Sequence, residues 1–282
     1  MPADGLKAAL DALIAGYDHH GRRAADPIAF PHRWPAGPDR EVVALFAGLL
    51  AYGRADLIGR ALAEVTARMG PAPAAAAAAD DPAAARRRFA GVVYRFTRGD
   101  DLARLWLGAG ALIRESGSLG AAVMALDDPA APDLRPLLGR LRAALIAPTA
   151  AMAESRGFLH LLCDPAAGSA CKRYNMWLRW MVRGPDEVDF GAWRALGPHR
   201  LTMPVDTHIH RISRALGLTS RAQADWRCAV EITDALRRLD AADPLRYDFA
   251  LAHLGISGAC PRRQVPTICA GCPIRRICCL PA

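Results

Sequence analysis

Met203-Pro204-Val205-Asp206-Thr207-His208-Ile209-His210-Arg211-Ile212-Ser213-Arg214-Ala215-Leu216-Gly217-Leu218 is the stretch on which the reading of this chain turns. Pro204 fits the first turn of a helix, where a missing amide is no loss. Val205, Ile209, Ile212 and Leu216 then recur at spacings of four, three and four and draw one apolar helical face. Gly217 ends the pattern. Asp206 falls in the first turn, at the positive end of the helix dipole and off the apolar stripe. Two readings of it stand side by side: an acidic cap, as is common in first turns, or an ionised group aimed outward at a ligand.

The C-terminal end carries a second pattern. The chain has eight cysteines, Cys163, Cys171, Cys228, Cys260, Cys269, Cys272, Cys278 and Cys279, and five of them lie in the last 23 residues. Their order is Cys260-x8-Cys269-x2-Cys272-x5-Cys278, with Cys279 adjacent. A Cys-x-x-Cys pair lets two thiolates reach one metal centre from a tight turn, and Pro273 suits that turn. Outlying cysteines complete four ligands, which fits either a cubane [4Fe–4S] cluster or tetrahedral zinc; spacing does not choose between them. Disulfides suit the chain less well, because Met1 to Leu10 lacks the apolar core of a secretory signal.

Val205-Asp206-Thr207-His208, followed by Arg211 and then Arg214-Ala215-Leu216-Gly217-Leu218, resembles the catalytic segment of the helix-hairpin-helix DNA glycosylases, the endonuclease III and MutY superfamily. The resemblance implies that Asp206 is the catalytic carboxylate. Relatives of endonuclease III end in Cys-x6-Cys-x2-Cys-x5-Cys around a [4Fe–4S] cluster. Here Cys260 follows Asp206 by 54 residues, the last two spacings agree, and the first loop is two residues longer. On that resemblance Cys260, Cys269, Cys272 and Cys278 hold a [4Fe–4S] cluster, with zinc as the alternative and Cys279 a spare.

Three further segments match the family more loosely. Ala51-Tyr52-Gly53-Arg54 sits where the family sends a wedge side chain into the DNA stack. Tyr52 or Arg54 is then a candidate to fill the space left by an extruded base; an ordinary inter-helix turn is the other reading. Pro165-Ala166-Ala167-Gly168 occupies the place of the hairpin, whose amides hold a phosphate, so Gly168 is a candidate DNA contact. Lys172 lies near the family's nucleophilic lysine, yet 34 residues before Asp206, a wider separation than the family's. It is either that nucleophile or a surface or phosphate-contacting lysine. Arg262, Arg263, Arg275 and Arg276 flank the cysteines and are candidate phosphate contacts.

Composition supports the same direction. Net charge is +8, with arginine far outnumbering lysine. That suits a polyanionic partner, although an arginine-rich proteome gives the same balance. Alanine and leucine dominate, aromatics make up 6%, and few stretches alternate with period two, which predicts an all-α fold. Periodicity predicts helices over 5–16, 42–52, 57–69, 100–115, 134–146, 152–162, 171–181 and 225–239, and from Asp243 to Gly258. Residues 26–39, with four prolines, read as an extended connector. The alanine-rich 71–88 reads as a surface insertion or a helix with a basic end, and 184–201 as an inserted loop or short helix. His253 and Asp248 read as a core histidine and a cap or ion-pair partner.

The expectation is a two-lobed all-α fold: a helical barrel lobe of residues 40–200 with a degenerate hairpin, and a terminal lobe of 1–39 and 201–282. The expected function is base-excision DNA repair, with cleavage of the N-glycosidic bond of a damaged or mispaired base and AP-lyase activity left open. The rival expectation is a non-catalytic nucleic-acid-binding or redox-sensing iron–sulfur protein. Damaged duplex DNA is the expected partner of a monomer in the cytoplasm, at the nucleoid. With no run of eighteen apolar residues, no membrane span is expected.

Overall fold

The computed structural model describes residues 3–152 and 154–281. They are 61% helical and 2% strand. Helix α1 (Ala3–Ala15) is followed by α2 (His19–Arg23), capped by Asp18. Residues 26–39 are not the extended spacer expected from their prolines. Pro27 and Pro31 each open a 3₁₀ turn, Pro27–Ala29 and Pro31–Arg33, because the fixed proline φ is also a 3₁₀ value. Ile28 and Phe30 enter the core there.

Helix α3 (Pro38–Leu50) is buried almost all round, with Val42 through Ala47, Leu49 and Leu50 at 0% exposure. Its Glu41 is buried too. One carboxylate oxygen accepts from Trp193 Nε1 and the other from the Gly120 amide, both at 2.8 Å. Helix α4 (Ala55–Met69) follows after a short turn.

Residues 71–88 depart from the surface insertion expected of them. They form α5 (Pro73–Ala79) and α6 (Pro82–Arg88), with Ala74, Ala77 and Ala85 buried. Both pack on the long helix α7 (Gly99–Ser116), reached through a two-residue hairpin of β1 (Val93–Tyr94) and β2 (Thr97–Arg98). The approach of α5 is close because α7 carries a glycine at the contact. A Cβ on Gly110 would lie 2.0 Å from the Ala77 carbonyl oxygen; elsewhere on α7, one on Gly108 would lie 2.2 Å from the carbonyl oxygen of Leu145. Alanine is thus a packing surface here, not filler.

The next helices are α8 (Leu119–Leu126), α9 (Arg135–Ile146) and α10 (Arg156–Leu161). The last starts later than expected, at its Ser155 cap; Ala153 of the expected range lies outside the described residues. Then come α11 (Lys172–Val182), α12 (Thr207–Ala215), α13 (Trp226–Arg237), α14 (Asp248–Ile256) and α15 (Pro266–Cys269).

The segment after α11 is not a loose insertion. Phe190 and Trp193 donate their amides to the carbonyls of Trp180 and Met181, at 2.7 and 2.9 Å. Val188, Phe190, Trp193 and Leu196 are buried. The chain doubles back along α11 and satisfies carbonyls that a helix end leaves open. A single contiguous apolar core runs from Leu10 to Ile274. Among the described residues no helix is long and apolar enough to cross a membrane.

The α5–α7 contact makes a measurable prediction. Gly110→Ala is expected to lower unfolding free energy by about 1–3 kcal/mol, because a backbone carbonyl must move. Gly139→Ala, in α9 with open space around it, is expected to raise it by up to about 1 kcal/mol. Urea denaturation of both variants checks the pair.

Candidate functional site

Asp206 is the N-cap of α12, and the first helical residue is Thr207. Pro204 therefore does not open the helix as expected; it lies in the extended, buried run that leads to it. Asp206 Oδ1 accepts from the amides of His208 and Ile209, both at 2.9 Å. Oδ2 is left over and faces Lys172 Nζ at 3.9 Å. The two sequence readings of this carboxylate apply to different atoms of it: one oxygen caps, the other points at an amine.

Lys172 is the first residue of α11. The turn before it is set by two positive φ values, +83° at Gly168 and +50° at Cys171. Glycine adopts that region freely; Cys171 is held in it by the Asn175 side chain, which donates to the Ala170 carbonyl at 3.0 Å, and by the Ser169 hydroxyl, which accepts the Cys171 amide at 3.1 Å. The Gly168 carbonyl accepts the Trp226 amide at 3.0 Å, so the turn is fastened to the start of α13.

Lys172 and Asp206 are each about a quarter exposed, at 29% and 25% of their side chains. Both line a cavity of about 910 Å³. Its opposite wall is the turn Ala51–Asp56, which brings Tyr52 and Arg54 to the same space. Tyr52 is tied down: its hydroxyl bonds to the Tyr94 carbonyl at 3.1 Å and to Thr97 Oγ1 at 2.8 Å, and its ring packs on His160. Arg54 projects freely, with 78% of its side chain exposed and only a surface pair to Asp56.

The cavity lining also holds a pair from distant parts of the chain. His253 Nε2 lies 3.0 Å from Asp26 Oδ2. Burial pushes the Asp26 carboxyl up, but the His253 hydrogen bond and charge, the Ile28 amide and Arg179 outweigh it and hold it below the ordinary carboxylate range. Behind Asp206 a hollow of about 40 Å³ leads to Asp248 and Arg179. Another, more open basin of about 620 Å³ beside Trp226 and Arg238 holds none of the predicted site residues.

The cysteine loop is fastened to the Asp206 helix. Arg211, on α12, donates to the carbonyls of Pro261 and Cys260 at 2.7 and 2.8 Å, and its Nη1 lies 3.2 Å from Cys260 Sγ. The Cys279 amide donates to the Ala215 carbonyl at 2.7 Å. Among the described residues no three histidine, cysteine or acidic side chains are grouped as ligands of one metal ion. The four predicted thiols do share one electrostatic neighbourhood. Burial pushes the Cys272 and Cys278 thiols up, and each also feels Cys260 and Cys269. Thiols are the donor type that a thiophilic centre takes, and these four lie within one terminal loop. Arg262, Arg263, Arg275 and Arg276 are exposed around them, and among the described residues none is paired with a carboxylate.

Residues 26–257 match the family described as a protein of unknown function, DUF2400, and the chain belongs to that family. No curated protein and no solved structure matches the chain.

One signal for the site lay in the sequence unread. Of 36 lysines and arginines, only Lys7 and Lys172 are lysines. Lys7 pairs with Asp11 on α1 at 2.6 Å; the other stands in the cavity beside Asp206.

Because Arg211 holds two carbonyls of the terminal loop, Arg211→Leu is expected to loosen the chain beyond residue 260 while leaving the helical core intact. Limited proteolysis checks this: cleavage sites within residues 260–281 are expected to open several-fold faster, with the fragment before them unchanged.

Proposed function

We propose that this chain is a base-excision DNA glycosylase with a coupled lyase step, in which Lys172 is the nucleophile and Asp206 the charge-stabilising carboxylate. What carries the reading is the juxtaposition of those two side chains, 3.9 Å apart in one large cavity. The scarcity of lysine sharpens it. A chain that uses arginine nearly everywhere else has a lysine at the one place where an amine that can shed its proton is needed, a role guanidinium cannot fill.

The chemistry runs as follows. The Lys172 amine attacks C1′ of the extruded nucleotide as the C1′–N bond breaks and the base leaves with the electron pair. The sugar passes through an oxocarbenium-like state, which the Asp206 carboxylate stabilises. Ring opening gives a Schiff base on Lys172, from which the 3′ phosphate is eliminated. Arg54 stands at the cavity mouth to fill the vacated stack, while Arg262, Arg263, Arg275 and Arg276, with the Gly168 turn, supply contacts to phosphates.

In this reading residues 40–200 are a barrel lobe and residues 1–39 with 201–282 a terminal lobe of the helix-hairpin-helix glycosylase type, acting as a monomer at the nucleoid. Cys260, Cys269, Cys272 and Cys278 hold a [4Fe–4S] cluster whose role is to cross-link the terminal loop. Freshly purified protein is then expected to be brown, with about four iron atoms per chain. Cys272→Ser is expected to lose them and Cys163→Ser to keep them; one zinc per chain in anaerobically made protein would overturn the cluster.

The catalytic reading is tested with a panel of damaged-base duplexes under borohydride, which reduces a Schiff base to a stable amine. Wild type and Lys7→Arg are expected to be trapped on DNA, and Lys172→Arg not. Asp206→Asn is expected to lose excision by a factor of about 10² or more. It should cost less than about 1 kcal/mol of stability, since asparagine caps as well as aspartate. Trapping that survives Lys172→Arg would move the nucleophile elsewhere. Wild-type protein that binds duplexes but excises nothing would hand the cavity to a non-catalytic binding role.

A further inference from the structure

Nine residues before Lys172, at the start of the turn that positions it, Cys163 faces Cys171 with their sulfurs 4.0 Å apart. Neither thiol belongs to the terminal cysteine group, and the chemistry proposed above uses neither. Cys163 is half-buried and Cys171 is buried, with 1% of its surface exposed. The pair sits in a built environment. The Ser169 hydroxyl donates to Cys163 Sγ at 3.9 Å. Arg142 donates to the Leu162 carbonyl at 2.9 Å, and Arg173 to the Leu49 carbonyl at 3.0 Å, so two guanidinium groups are held beside the pair.

Those neighbours act unequally on the two sulfurs. The hydrogen bond from Cys171, the Arg173 charge, Ser169 and Arg142 together outweigh burial and hold the Cys163 thiol below the ordinary range. The same hydrogen bond, then burial and the Cys163 charge, push Cys171 up. Cys163 is also the sulfur that solvent reaches, while Cys171 lies against it on the buried side. A partly exposed thiol with a second thiol 4.0 Å behind it is the arrangement of a peroxide-reactive cysteine with its resolving partner.

We propose that Cys163 and Cys171 are a peroxide-reactive dithiol, a modification site in the turn that carries Lys172. The Cys163 thiolate attacks one oxygen of hydrogen peroxide; the O–O bond breaks, and hydroxide leaves to take a proton as water. Cys163 is now a sulfenic acid. Cys171 sulfur then attacks Cys163 sulfur, the S–O bond breaks, and the departing hydroxide takes the Cys171 proton to form a second water. Two thiols are oxidised to one disulfide, and one peroxide is reduced to two waters. The ring so closed spans the turn through Gly168 and ends at the residue preceding Lys172. The site does not depend on the glycosylase reading.

The sequence supplies a clean readout. Cleavage after Arg156 and after Lys172 releases residues 157–172 as one tryptic peptide holding both cysteines and no others. Intact purified protein is treated with increasing hydrogen peroxide in the presence of the sulfenic-acid probe dimedone, then alkylated and digested. In wild type that peptide is expected to lose the mass of two hydrogens, to resist alkylation and to carry little dimedone; dithiothreitol before alkylation is expected to restore both thiols. In Cys171→Ser, where no resolving thiol remains, Cys163 is expected to accumulate the dimedone adduct. In Cys163→Ser the peptide is expected to take neither modification. Wild-type peptide that stays fully alkylatable while the exposed Cys279 is oxidised would overturn the proposal. So would Cys171→Ser protein that folds, by circular dichroism, but takes no adduct.

Discussion

The buried guanidinium of Arg179 is the interaction on which the site depends. It projects from α11 and is pinned between Asp248, at the start of α14, and Asp189, in the segment that doubles back along α11. Burial works against its charge, and the two carboxylates outweigh that and hold it charged. Arg183, one turn on, extends the pairing to Asp189 and Asp243, each at 2.9 Å. A buried pair of this kind adds little net stability over an apolar packing. Its members are nevertheless hard to remove singly, at about 3–5 kcal/mol for an orphaned charge. What it supplies is registry. Helix α11, which carries Lys172 at its other end, cannot slide or rotate against α14 without stranding three charges.

From that anchor the cavity wall follows. Helix α14 presents His253 to Asp26, so the turn at 26–29 is held against the same helix. The close approach of α14 to α12 is visible at Gly255, where a Cβ would lie 2.6 Å from that of His208. Asp206 therefore sits at the end of a helix wedged between the α11–α14 ion pair on one side and the cysteine loop on the other. Both restraints act on the orientation of one carboxylate. A 3.9 Å separation between two flexible side chains would mean little alone. It means more when the backbones beneath them are fixed by buried charge and by Arg211.

Much of the helical framework was legible in apolar spacing, and the departures have physical causes. The helices at 55–69, 99–116 and 226–237 show strong contrast between faces, the one at 38–50 shows a continuous apolar run, and their spacing places them to within a few residues. Residues 73–88 carry almost no contrast, because alanine serves equally as surface and as close-packing core; the complementary signal, Gly110 of α7, lies elsewhere in the chain. Strands of two residues are too short to show a period. Prolines at 27 and 31 looked like spacers because φ is all that proline constrains, and a 3₁₀ turn accepts that φ. Asp26 and His253 had no local signature at all. Their meeting is a product of tertiary packing, as is that of Lys172 and Asp206 across 34 residues.

Lys172 and Asp206 are far apart in the chain, and the fold accommodates the residues between them without parting the two side chains. The residues between Lys172 and Asp206 leave the site at the C-terminal end of α11, satisfy its carbonyls, and return through the extended run 201–205. The lysine stands at one end of α11, and the surplus chain is packed at the other. Length added there changes the core that Phe190, Trp193 and Leu196 fill, but not the distance between the two ends that matter. The reach between an amine and a carboxylate is set by where their two backbones are held. Here they are held by Arg179 and Arg211, two arginines that touch neither the amine nor the carboxylate they position.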